Sequence, residues 1–178
     1  MNFLAADERR RLLELDDRAL AVECEVDLYK ASGTGGQKRN KTSSAVRMRH
    51  KQSGVISKAA GSRSQSDNRR KALTRLRENL ALDLRAPVPA DYVPSADVRG
   101  AIERGAYGEN SKVRIGVPYL LLLAEILDVF EAEGAVLASA AQRLGVNTAS
   151  LGKLLAGDDR VARRAHELRS QRGLKPLR

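Results

Sequence analysis

The stretch SGTGGQKRNKTSSAVRM, residues 32–48, sets Gly33, Gly35 and Gly36 around one uncharged amide, Gln37, and follows it at once with Lys38, Arg39 and Lys41. Glycine costs backbone entropy, so the segment needs either backbone angles closed to other residues or a close approach of main-chain N–H groups to a ligand. At its end Val46 and Met48 alternate with Arg47 and Arg49, the pattern of a half-buried strand. Upstream, Val22, Cys24, Val26 and Leu28 alternate with Glu23, Glu25 and Asp27, which predicts another strand. Downstream, QSG (residues 52–54) predicts a turn and VISKAA (55–60) a third strand, antiparallel to the second because the connection is so short.

Outward from this strand region the period changes. Leu4 to Leu15 has helical spacing with mixed charge and predicts a short helix. From about Ser64, apolar residues recur at three and four positions (Ala72, Leu73, Leu76, Leu80, Leu84), which predicts an amphipathic helix to about Leu84. Its other face carries Arg69, Arg70, Lys71, Arg75 and Arg77. Pro87, Pro89 and Pro94, with several glycines, predict a linker over 86–112 between a first unit at 1–85 and a helical unit at 113–178. In the latter, Pro118 opens a helix that ends at Gly134, and two short helices flank Gly145-Val146-Asn147. Asp158 is a candidate N-cap for a last helix with a basic tail.

Composition narrows the partners. Thirty-two Lys and Arg against 22 Asp and Glu give a net charge of +10 over 178 residues, a field that favours polyanions, nucleic acid first. The single cysteine, Cys24, excludes an internal disulfide framework and any cysteine-based zinc cluster. No secretory signal is evident, and the longest apolar run, near 120–124, is too short to cross a bilayer. The expectation is a cytoplasmic protein without membrane association. Trp is absent and aromatics are scarce, so base-stacking platforms are not expected.

The glycine segment lacks the lysine–hydroxyl ending of a phosphate-binding P-loop, and it does not lead directly into a helix as a dinucleotide fingerprint does. No Ser–His–Asp or Cys–His pattern accompanies it. His50 and His166 are the only histidines, the first expected on a strand near RNA and the second on the terminal helix, and neither suggests a metal site. Gln37 cannot act as a general base at neutral pH. Any catalysis here works by positioning and by hydrogen-bond donation to developing negative charge, with water as the attacking group. The cationic flank would dock the segment on phosphates.

The same residues resemble the GGQ loop of class I peptide chain release factors and of their short relatives, the ribosome-rescue peptidyl-tRNA hydrolases. The likeness continues through Asn40 and TSSAV into RSQSDNRRKALTRL (residues 63–76), where Arg63, Ser64, Gln65, Asn68, Ala72 and Leu73 stand at the family's positions. It runs from about Glu23 to Leu84. The resemblance implies an α+β fold, a small antiparallel sheet packed on a long helix, whose glycine loop enters the peptidyl transferase centre. It implies that Gly35, Gly36 and Gln37 are the catalytic residues, the backbone N–H of Gln37 stabilising the oxyanion while water hydrolyses the ester of the P-site peptidyl-tRNA. Large-subunit rRNA and the tRNA supply the remaining groups, so no cofactor or metal is expected and the protein acts as a monomer. The family's glutamine is commonly N-methylated, which makes Gln37 a modification candidate and a glutamine methyltransferase a candidate partner. RNA contacts are expected at Lys38, Arg39, Asn40, Lys41, Arg47, Arg63, Arg69 and Arg70.

The sequence also departs from the family. Lys38-Arg39 is more basic than the pair in many relatives, and no stretch matches the codon-reading domain or its stop-codon tripeptide. Codon-independent action, as in ribosome rescue, is therefore the expectation. In the second unit, Ala141, Gly145 and Leu151 have helix-turn-helix spacing, but TASLGKLL carries one cation, Lys153, which is thin for groove binding. The terminal segment is richer, with Arg160, Arg163, Arg164, Arg169, Arg172, Lys175 and Arg178 against Glu167, and Arg163, Arg164 and Arg172 are expected to reach rRNA or the mRNA channel. The alternative to a hydrolase is a non-catalytic ribosome- or RNA-binding factor of the same fold, which would not need an intact Gly35-Gly36-Gln37.

Overall fold

The sequence predicts one short helix before the first strand, over Leu4–Leu15; the structure forms two, on either side of Asp16. In the computed structural model, which describes residues 4–30, 44–94, 96–103 and 116–177, helix α1 spans Ala6–Glu14 and a second helix, α2, spans Asp17–Val22. The Asp16 carboxylate accepts from the backbone N–H groups of Arg18 and Ala19, both at 2.8 Å, and so caps two donors that α2 would otherwise leave unsatisfied. Val22 is therefore the last helical residue and 74% exposed, not the first inward residue of a strand. The local alternation misled because the helix that the Asp16 cap starts runs into it as far as Val22.

Strand β1 is Cys24–Tyr29, β2 is Ala45–His50 and β3 is Ile56–Ala59, in the order β1-β2-β3 and antiparallel throughout. The register runs from Cys24↔His50 to Tyr29↔Ala45 in the first pair and from Val46↔Ala59 to Arg49↔Ile56 in the second. The expected turn forms between β2 and β3. Gly54 sits at φ +69°, donating its N–H to the His50 carbonyl at 2.8 Å, a conformation that favours glycine.

Helix α3, Gln65–Asp83, packs on β2 and β3. Its buried stripe is Asn68, Ala72, Leu73, Leu76 and Leu80, and it meets Val46, Met48, Ser57 and Ala59 from the inner face of the sheet. Ser64 caps the helix by accepting from the Asp67 N–H at 3.2 Å. The fold of this first unit, residues 7–84, is thus α+β with a small three-stranded antiparallel sheet against helices.

Residues 85–178 belong to a second compact unit. It contains α4 (Ala96–Glu103), α5 (Val117–Ala132), α6 (Leu137–Leu144), α7 (Thr148–Ala156) and α8 (Asp159–Ser170). Where prolines suggest a loose connection, the described residues are held firmly. Arg85, 1% exposed, pairs with Asp128 at 3.1 Å, the Ala86 N–H donates to the same carboxylate, and Arg143 donates to the Pro89 and Ala90 carbonyls. Tyr92 donates to Glu125, and burial together with that carboxylate pushes the phenol well above its ordinary pKa. Val98, Ala101 and Ile102 of α4 are buried, and α4 packs on α7.

Gly145 closes α6 in the left-handed conformation at φ 66°, and Asn147 caps α7 by accepting from the Ala149 N–H. Asp158 caps α8: burial acts to raise its pKa, but the N–H groups of Arg160 and Val161 and the Arg160 charge outweigh it. No helix among the described residues is long and apolar enough to cross a membrane.

Candidate functional site

Gly35, Gly36, Gln37, Lys38, Arg39, Asn40 and Lys41 lie outside the described residues. The frame from which they are presented does not. Residues 30–44 connect β1 to β2, and Tyr29 pairs with Ala45 at the open end of the hairpin. The connection therefore starts and finishes on adjacent strands. Beside its far end sits Asn68, fully buried on α3. Its Nδ2 donates to the Ser44 carbonyl at 2.7 Å and to the Ser62 carbonyl at 2.8 Å, while its Oδ1 accepts from the Ser62 N–H at 3.0 Å.

The start of α3 is thereby fixed next to the hairpin opening, and the expected RNA contacts there are on the surface. Arg63, Arg69 and Arg70 are exposed, as is Lys71. Arg70 lies 3.8 Å from Asp67 across one turn, a pair of little energetic weight at such exposure. Arg63, Arg69 and Lys71 have no acidic partner among the described residues. Cations near the N-terminus of a helix gain nothing from its dipole, so the fold itself gives no reason for this cluster.

The other cations of α3 serve the fold. Arg75 donates to the Lys58 carbonyl at 2.7 Å, and Arg77 donates to the Leu13 and Leu15 carbonyls at 2.7 and 2.6 Å and pairs with Asp17 at 2.9 Å. Arg77 thus closes the C-terminal end of α1, where helix carbonyls lack intrahelical partners. Arg47, another expected contact, stands on the outer face of the sheet directly across from Asp27 and pairs with it at 2.7 Å. Arg49 and Glu25 form the neighbouring rung at 3.8 Å.

His50 is not near the surface. It is completely buried, with Nδ1 accepting from the Ser53 N–H at 3.1 Å and Nε2 3.3 Å from a Glu23 carboxylate oxygen. Acceptance at Nδ1 places the proton on Nε2, which donates to Glu23. Glu23 also receives the Arg11 guanidinium at 2.8 and 3.0 Å, and Arg11, with a contribution from His50, holds its carboxyl below the usual range. Burial, then the Glu23 charge, pushes the Cys24 thiol up, and that thiol donates to the Leu20 carbonyl. It is an inert core thiol. Among the described residues no three His, Cys, Asp or Glu side chains are grouped to hold a metal.

In the helical unit the expected contacts divide. Arg163 is exposed and has no acidic partner among the described residues. Arg164 is largely buried and pairs with Glu167 at 3.1 Å. Arg172 donates to the Glu131 carbonyl at 3.1 Å, and Arg169 donates to the Ala135 carbonyl at 2.7 Å. Both anchor the end of the chain to the α5–α6 region. Sequence reasoning placed Asn68 only by its family position. The signal of its role was its spacing: four residues before Ala72 and eight before Leu76, it belongs to the apolar stripe of α3.

An antiparallel hairpin opening onto a glycine-rich connection, backed by a helix with a serine- and arginine-rich start, defines an α+β domain of release-factor type. Residues 18–105 match the RF-1 domain family, and over that stretch the chain is a member of it. It is 48% identical over 71 residues to peptide chain release factor 2 of Lactiplantibacillus plantarum, covering 38% of this chain and 19% of that protein. To peptide chain release factor 1 of Enterococcus faecalis it is 36% identical over 98 residues, 55% of this chain and 26% of the relative. A third relative, peptide chain release factor 1 of Geobacter metallireducens, is 40% identical over 74 residues, 39% and 21% of the two chains. The chain thus spans about a fifth to a quarter of the length of the curated relatives it matches.

Proposed function

We propose that this protein hydrolyses the ester of peptidyl-tRNA on the ribosome, releasing the nascent peptide in the manner of a class I release factor. One observation carries the reading: the RF-1 domain match includes an intact Gly35-Gly36-Gln37 between two strands whose pairing closes the connection at Tyr29 and Ala45. Water attacks the ester carbonyl carbon, the carbonyl oxygen becomes the oxyanion, and the tRNA hydroxyl leaves. The Gln37 N–H donates to that oxyanion, Gly35 and Gly36 give the backbone its geometry, and the Gln37 side chain, the candidate for N-methylation, shapes the water pocket.

The ribosome is the partner, through large-subunit rRNA at the peptidyl transferase centre. Lys38, Arg39, Asn40 and Lys41, with the exposed Arg63, Arg69 and Arg70, are the proposed RNA contacts of the first unit. Arg47 is retained as a contact only if RNA displaces Asp27 from it. In the helical unit Arg163 is the best placed of the proposed contacts, whereas Arg164 and Arg172 already have internal partners. The α6–turn–α7 pair is helix-turn-helix-like in spacing, with Ala141 and Leu151 buried around Gly145. We assign it a packing role, since Lys153 is the only cation of α7.

We further propose that release needs no stop codon. The test is release of labelled peptide from ribosome-bound peptidyl-tRNA with a stop codon, a sense codon or no codon in the A site. Comparable release in all three states, or release with the site empty, is the expected result. Release confined to stop codons would remove codon independence and leave the hydrolase reading standing. No release in any state would remove both.

A further inference from the structure

Asn68 is the one polar side chain among the buried residues of α3, and it is 0% exposed. A primary amide brings two N–H donors and an acceptor into the core, and each needs a partner there. All find one: the donors meet the Ser44 and Ser62 carbonyls, and the acceptor meets the Ser62 N–H. This set also fixes the orientation of the amide. A reversed amide would set its oxygen against two carbonyl oxygens.

The partners lie on different segments. Ser62 belongs to the turn between β3 and α3, and Ser44 is the residue at which the glycine-rich connection rejoins β2. The sheet secures the same point from the other side through the Tyr29↔Ala45 pair. One enclosed side chain therefore ties Ser44, the foot of that connection, to the start of the helix that carries the exposed arginines.

We propose that Asn68 is a positioning residue for peptide release: by holding the Ser44 carbonyl against the start of α3, it sets where the connection carrying Gln37 leaves the sheet. The assignment rests on the release function proposed above. Asn68 meets neither ester nor RNA and acts through Ser44. Asn68→Asp keeps the size of the side chain but turns a donor into an acceptor facing the two carbonyls, and the repulsion displaces the foot. Ser57→Ala is the control. Ser57 is 3% exposed and donates to the Ala72 carbonyl at 2.7 Å, so its loss removes a buried sheet-to-helix bond without touching Ser44.

The experiment follows release of labelled peptide from ribosome-bound peptidyl-tRNA across a range of protein concentrations, below the unfolding midpoint of every variant. Asn68→Asp is expected to lower the maximum rate by about tenfold to a hundredfold, the cost of a small misplacement of a catalytic element. Its half-saturating concentration should stay within about twofold of wild type, since the docking cations are unchanged. Ser57→Ala is expected to lower the unfolding midpoint and leave the maximum rate as it was. If Asn68→Asp does not fold, Asn68→Ser, which keeps a small polar group, takes its place. A wild-type maximum rate in the Asn68 variant, a loss confined to the half-saturating concentration, or an equal rate loss in Ser57→Ala would overturn the proposal. A wild-type protein that releases no peptide overturns the release function itself, and this proposal with it.

Discussion

At the scale of single residues, the chemistry assigned to Gln37 asks little of its side chain and much of its backbone. Gln37→Ala is therefore expected to impair release mildly, or to relax its selectivity for water over small nucleophiles such as hydroxylamine, because the backbone N–H remains. Release rates with each nucleophile would show it, and complete loss of activity would assign the side chain a larger role. Glu23 makes a pH prediction. Arg11, and after it His50, hold its carboxyl below the ordinary value of 4.5. A carboxylate with a lowered folded pKa adds stability above its unfolded pKa and loses it as pH falls through the folded one. Unfolding midpoints should drop below about pH 4.5, and Glu23→Gln should flatten that drop. The sequence made the alternation of β2 legible and hence the burial of Val46 and Met48. It did not reveal that His50, next in the inward series, is wholly enclosed, because its partners Glu23 and Ser53 come from outside β2.

At the scale of elements, the long helix α3 was legible to within a residue of its end, since its apolar spacing is a local signal. What its cations do was not legible. Arg75 and Arg77 share a polar face with Arg69 and Arg70, yet they are spent on carbonyls of β3 and α1, and reach of that kind depends on tertiary neighbours. Arg77→Ala should destabilise the first unit by roughly 1.5–3 kcal/mol, the range for hydrogen bonds to a charged group, as read by chemical denaturation. A change within error would mean that water replaces those bonds. In the helical unit the buried Arg85–Asp128 pair makes a sharper case. Asp128→Ala removes the counter-charge of the buried Arg85 guanidinium, which keeps its bond to the Ala124 carbonyl, and should cost about 3–5 kcal/mol, whereas Arg85→Met combined with Asp128→Leu should recover most of that loss. Equal losses in the single and double variants would show that the Ala86 N–H bond to Asp128, not the charge pair, is what matters.

At the scale of the whole molecule, a net charge of +10 predicts ribosome binding that weakens as salt rises. Each phosphate contact contributes a slope of roughly 0.7–0.9 in log affinity against log salt, so joint replacement of Arg63, Arg69 and Arg70 by Gln should reduce the slope by about 2–3. An unchanged slope would place the contact surface elsewhere. The central claim is hydrolysis by the glycine connection, and the most direct measurement compares wild type with Gly36→Ala for release of labelled peptide from ribosome-bound peptidyl-tRNA with an empty A site. Efficient release by wild type and near-complete loss in a folded, ribosome-binding Gly36→Ala protein is the predicted result. Equal release by the two proteins would contradict the account.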